Sequence, residues 1–133
     1  MPIERRFDAD NRVLWTTMRD GLTIQDLRQH IDAVNELDGH QYCGIVDTRG
    51  AEPLFSTKEF PELARHGRRL FGHRGMAPRA VIVSETDLLS FGLARLFAAL
   101  VAPWVTVRVF DNESAAVDYI EMAAAGREQS PTQ

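Results

Sequence analysis

The chain has one cysteine, Cys43, so no internal disulfide holds it together. A lone thiol suits a reducing compartment, and the expected location is the cytoplasm. No window approaches the roughly 18 consecutive apolar residues that a spanning helix needs, so no transmembrane segment is expected. The opening stretch MPIERRFDAD has charges where a signal peptide needs an apolar run. Neither Gly-x-Gly-x-x-Gly nor a P-loop occurs, so the usual nucleotide cradles are missing. No Gly-x-Ser-x-Gly elbow is present to strain a hydrolase nucleophile. His66 and His73 are two helical turns apart, and His30 and His40 have no Cys or carboxylate clustered at ligand spacing. Neither a metal nor another cofactor is therefore expected, and no catalytic residue is marked. Bases are outnumbered, 15 Lys and Arg against 19 Asp and Glu, giving a net charge of −4. The sequence pI near 5.5 argues against nucleic acid as the main partner.

The composition is that of an ordinary globular domain, with 133 residues, 44% of them hydrophobic and 26% charged. A chain of this length buries about two-thirds of its unfolded surface, enough for a core that needs no staple. One domain is expected over residues 1–126, followed by a polar tail at 127–133.

Ile3 to Phe7 and Val13 to Met18 read as strands joined by the turn formers Asp8-Ala9-Asp10-Asn11. Asp20-Gly21 breaks the pattern. Thr23 then reads as an N-cap, with Asp26 in the first turn. Ile24, Leu27, Ile31 and Val34 recur at helical spacing, and Gly39 is placed to end that helix. Tyr42 to Val46 is a short buried strand closing on the turn Asp47-Thr48-Arg49-Gly50. Ser56-Thr57-Lys58-Glu59 has the form of a capping box for a helix reaching Phe71, with Pro61 tolerable only near its start. Ala80 to Val83 is another buried strand. Thr86-Asp87 opens a long apolar helix to about Val101, ended by Pro103. Val105, Val107 and Val109 alternate with polar residues, as in a strand with one covered face. Asp111 is placed to cap a last helix, stopped by Gly126. The order β-β-α-β-α-β-α-β-α predicts an α/β fold, its sheet mostly parallel with an antiparallel N-terminal edge strand.

Four stretches in this order carry a resemblance. VRVFDNESAAVDYI, with Phe110, Ala116, Tyr119 and Ile120, resembles the closing motif of the SpoIIAA-like family, which is related to STAS domains; Tyr119 stands where that family usually has Trp. GLTIQDLRQHI resembles its first helix, GIVDTRG its central strand ending in Asp, and RAVIVSETDLLSFGLARLF its next strand and helix. The resemblance covers about Leu14 to Met122. It implies a sheet with helices packed against it, as in STAS and Sec14-like lipid-carrier domains, and carries no established enzymatic activity. In STAS-type anti-sigma-factor antagonists, a serine after the central strand is phosphorylated. The nearest residues here are Ser56 and Thr57, but the Asp-Ser-x-Gly signature is absent after Asp47, so the modification is not carried over.

Three groups of residues remain as candidate sites. Asp47, Arg49, Ser56, Thr57, Ser84 and Thr86 are expected along the carboxyl edge of the sheet, where open α/β sheets bind ligands. For the Asp, Ser and Thr residues, loop and helix capping is the competing role. Phe91, Leu93, Leu96, Phe97, Leu100 and Trp104 offer more apolar surface than one sheet face needs. They serve either a homodimer interface or an apolar cavity, if not the core alone. In ARHGRRLFGHRG the apolar positions Ala64, Gly67, Leu70 and Phe71 fall on one stripe. Arg65, His66, Arg68 and Arg69 then face water, where the three arginines form a possible face for an acidic partner. The expected function is a non-catalytic regulatory or binding module, acting on a protein partner or small ligand at the sheet edge. The alternative is a carrier of a small apolar or lipid-like molecule under the third helix.

Overall fold

The structure is a computed structural model that describes residues 2–129. β1 (Ile3–Asp8) and β2 (Val13–Leu22) form the antiparallel hairpin. The Asp8 carboxylate closes the turn by accepting from the Asn11 backbone N–H at 3.1 Å and side-chain amide at 3.0 Å. The chain then alternates α1 (Ile24–Glu36), β3 (Cys43–Pro53), α2 (Phe60–Phe71), β4 (Arg79–Ile82), α3 (Leu88–Val101), β5 (Val107–Phe110) and α4 (Glu113–Gln129). The sheet order is β1-β2-β3-β4-β5, parallel from β2 onward. The expected α/β order and antiparallel edge strand are both present.

Strand order follows chain order, so each crossover steps in the same direction. Crossovers of one hand then place α1, α2 and α3 on one face of the sheet. Accordingly, α1 packs on α2 and α2 on α3, whereas α4 packs across β3, β4 and β5 on the other face. Side-chain alternation along the strands serves both layers. Val13, Cys43, Ile45, Ala80 and Ile82 meet Ala116 and Ile120 of α4 in one buried cluster. Leu14, Met18, Val46, Val81 and Val107 point to the three-helix side.

Several local expectations are corrected. β2 continues through Asp20 and Gly21, with Asp20 at φ 61°, because β3 also continues to Pro53 and pairs with it. Asp47 to Gly50 is therefore strand, not a closing turn. Between Thr17–Arg19 and Asp47–Gly50 the register shifts, giving β3 one extra residue. Past Leu37 the left-handed residue is Asp38, at φ 55°, not Gly39. Gly39 is small for a different reason: a Cβ there would lie 3.0 Å from Leu14 Cδ2. Asp87, not Thr86, caps α3, its carboxylate accepting from Ser90 N at 3.0 Å. Asn112, not Asp111, caps α4, accepting from Ala115 N at 2.8 Å. The last strand starts at Val107, since Val105 N donates instead to Val101 O at 3.0 Å. α4 runs through Gly126 to Gln129, so Gly126 does not stop it, and the tail at 130–133 lies outside the described residues.

His66 is corrected too. It is 9% exposed, and its Nε2 lies 2.6 Å from Asp32 Oδ1 on α1. The reason is position: α2 is the middle helix of three, so a second flank is covered by α1. A single apolar stripe does not register that flank.

Arg79 is a buried charge on the three-helix side of the sheet, 8% exposed at the start of β4. Nη1 donates to Tyr42 O at 2.5 Å and Ala77 O at 3.0 Å, and Nη2 to Gly39 O at 2.9 Å. These bonds clamp the connection between α1 and β3 onto β4. The guanidinium reaches them by lying across Gly44, where a Cβ would come within 2.7 Å of Arg79 Cδ. Gly44→Ala is therefore expected to lower stability by about 1–3 kcal/mol through overpacking, measured by urea unfolding. An unchanged midpoint would show that Arg79 can shift freely.

Candidate functional site

The carboxyl edge of the sheet collects some of the expected residues. Asp47 pairs with Ile82 at the end of β4. Its Oδ1 accepts from Arg49 N at 3.0 Å and Nε at 2.9 Å, and its Oδ2 from Nη2 at 2.7 Å. Arg49 Nη2 also donates to Glu113 Oε1 at 2.8 Å, tying β3 to the first turn of α4. Glu113 is 64 residues further along the chain and gives no local sequence signal. The Arg49 bonds hold the Asp47 carboxyl below its ordinary pKa, and the two carboxylates keep Arg49 firmly protonated. Ser84 Oγ reaches Arg49 O at 3.5 Å. Ser56 and Thr57 lie elsewhere. From Asp47 the strand runs on to Pro53, about 20 Å of extended chain at ~3.3 Å per residue, before they are reached. Thr86 is exposed beside the α3 cap. The six residues do not form one pocket, and the three that come together, Asp47, Arg49 and Ser84, bond to one another and to Glu113.

Arg65, Arg68 and Arg69 are exposed and line a surface groove with Gly72 and His73. Arg65 pairs with Glu62 at 2.8 Å, and Arg69 is 3.7 Å from the same carboxylate. One acid thus partly neutralises this face.

A second feature lies between the sheet and the three-helix layer. It is an apolar cavity of about 210 Å³. Its floor includes Met18, Val46, Val81 and Val107 from four successive strands. The bulge in β3 extends this floor. After Val46 and Thr48, the extra residue turns Ala51 and Pro53 inward, where strict alternation would have presented Gly50 and Glu52. Ile31 and Val34 of α1 and Leu63 of α2 form two of its walls. Leu93, Ala94 and Phe97 of α3 close it, together with Trp104. The outer edge of the Trp104 indole reaches α2 because Gly67 leaves room: a Cβ there would come within 2.7 Å of it. The apolar set named from sequence therefore divides. Leu93, Phe97 and Trp104 line the cavity, while Leu96 and Leu100 are 41% and 37% exposed and Phe91 stacks under Arg95.

Few polar side chains reach this cavity. Thr48 Oγ1 donates to Ile82 O at 2.8 Å, and Ser90 Oγ to Asp87 Oδ2 at 2.6 Å. Arg79 lines it while holding its three carbonyls. His30 of α1 also lines it, a position that its spacing in the sequence does not signal. Arg5 Nη1 donates to His30 Nδ1 at 3.1 Å, so the neutral ring carries its proton on Nε2. Burial, with Arg5 and Arg79 nearby, lowers the His30 pKa to about 3. Among the described residues no three His, Cys, Asp or Glu side chains converge to hold a metal. Among them, too, no helix is long and apolar enough to cross a membrane.

A five-stranded sheet in chain order, one antiparallel edge strand, three helices on one face and a fourth on the other define the SpoIIAA-like fold. The chain is similar over 89% of its length, and over 91% of the other's, to the crystal structure of an uncharacterised DUF3478-family protein with a SpoIIAA-like fold from Shewanella loihica PV-4. Identity is 17% and the TM-score 0.55. No protein-family model matches the sequence, and no curated protein matches it.

The His30 environment has a consequence for stability. In the unfolded chain the imidazole binds a proton below about 6.5, its ordinary value, while in the fold it resists until about 3. The unfolded state therefore binds more protons in that window. The stabilisation is complete above the ordinary value and is lost as pH falls through the window. Thermal unfolding of the wild type should fall more steeply from neutral pH to pH ~4 than that of His30→Gln, which cannot titrate there. Parallel profiles would show that His30 is not desolvated.

Proposed function

We propose that this chain binds a small apolar molecule in the cavity between its sheet and α3. One observation carries the reading: aliphatic and aromatic side chains from four strands and all three helices of one layer surround the same 210 Å³ of space. An apolar cavity of roughly 150 Å³ stays dry and takes up a molecule the size of benzene, so this space accommodates a somewhat larger one. The covering helix favours entry. α3 is strongly apolar, yet Val101 is its one buried residue, and Leu88 and Leu89 are 81% and 67% exposed. A helix anchored mainly at one end can move aside at modest cost.

The reading is of a carrier or sensor, not an enzyme. The two hydroxyls in the cavity are engaged as donors, and no carboxylate lines it. A regulatory site at the sheet edge has less support, because Asp47, Arg49 and Glu113 already satisfy one another.

Native mass spectrometry tests this. The wild type, purified without solvent extraction, should carry a small apolar adduct or take up a neutral naphthylamine dye with enhanced fluorescence. Ala94→Trp, which fills the cavity from α3, should abolish both while still unfolding cooperatively. An adduct-free wild type that also fails to brighten the dye would contradict the proposal.

A further inference from the structure

We infer that the molecule taken up by the cavity ends in a carboxylate, and that the Nε2–H of His30 receives this end. The inference rests on the cavity being a binding site and adds the chemistry of the ligand's polar head.

The inventory of cavity side chains leads to His30. Thr48 gives its proton to Ile82 O, and Ser90 gives its proton to Asp87. Arg79 directs Nη1 and Nη2 at the carbonyls of Tyr42, Ala77 and Gly39. His30 differs, because its Nδ1 is an acceptor held by Arg5 and its Nε2 must therefore be the donor. The ring thus joins an exposed guanidinium on β1 to an otherwise apolar space. Half-buried at the cavity wall, this N–H can take an acceptor supplied from the cavity.

The local charge selects the kind of acceptor. The charges that act on His30 are the guanidiniums of Arg5 and Arg79, and no carboxylate is among them. A carboxylate placed at Nε2 would gain a charge-assisted hydrogen bond and two nearby cations, which offset its loss of hydration. An alcohol would gain the hydrogen bond alone. An ammonium would find no acceptor and two like charges. The same chain length thus carries three different outcomes.

Competition against the neutral naphthylamine dye reads this directly, using octanoate, octanol and octylamine on the full-length protein at neutral pH and low salt. Octanoate is expected to displace the dye about tenfold more tightly than octanol, the size of one hydrogen bond to a charged group, with octylamine weakest. In His30→Leu the octanoate-to-octanol ratio should fall to near one, and His30→Gln, which keeps an N–H donor, should restore part of it. Arg5→Gln, on the exposed edge, should lower the ratio as well, which keeps the test valid if His30→Leu does not fold. Equal displacement by all three compounds in the wild type, or a ratio that survives both His30→Leu and Arg5→Gln, would overturn the assignment of His30 while leaving the cavity as an apolar site. Failure of the dye itself to bind would remove the cavity reading and this inference together.

Discussion

The constraint on which the rest depends is the agreement between chain order and strand order. Because β2, β3, β4 and β5 follow one another across the sheet, every crossover lands on the same side. Three helices then share one face of a twisted five-stranded sheet, and α4 alone serves the other. The two faces are filled differently. Against α4 the contact is dense: Ala80, Ile82, Ala116 and Ile120 are all fully buried. On the three-helix side the layer must span the width of the sheet, and it does not close completely over Val46, Val81 and Val107. The cavity lies where that side is least filled.

Two close approaches hold the cavity's boundaries. Arg79 crosses Gly44 to clamp the backbone between α1 and β3, and Trp104 rests on Gly67 to join the end of α3 to α2. Both depend on a missing side chain. The third boundary is the β3 bulge, which keeps Thr48, Ala51 and Pro53 on one face despite the break in alternation. Along α3 itself Val101 is the one fully buried residue, and most of its other apolar positions are partly open. An apolar helix with so much exposed surface is costly unless that surface is used.

Much of the fold was legible in the sequence because its signals are local. The Thr23–Asp26 capping pair, the helical spacing of Ile24 to Val34 and the valine alternation near Val107 each report on neighbours within a turn or two. The SpoIIAA-like order followed from them and from the motif resemblance. What escaped the sequence depends on distant partners. Asp20 continues a strand only because β3 is there to pair with it. His66 is covered by α1, a helix 34 residues away at the contact. Glu113 completes the Asp47–Arg49 pair from across the chain. The cavity was legible only in part: Leu93, Phe97 and Trp104 belonged to a visibly oversized apolar face, whereas His30 showed its significance only once Arg5 and the cavity wall were placed around it.

The most direct measurement of the central claim is a methyl NMR titration of the folded protein with octanol. Occupation of the cavity predicts saturable shifts at the methyls of Ile31, Val46, Leu93 and Val107, with Ile82 and Ile120 in the cluster between the sheet and α4 unmoved. Shifts confined to the exposed Leu88 and Leu89, or none at all, would contradict it.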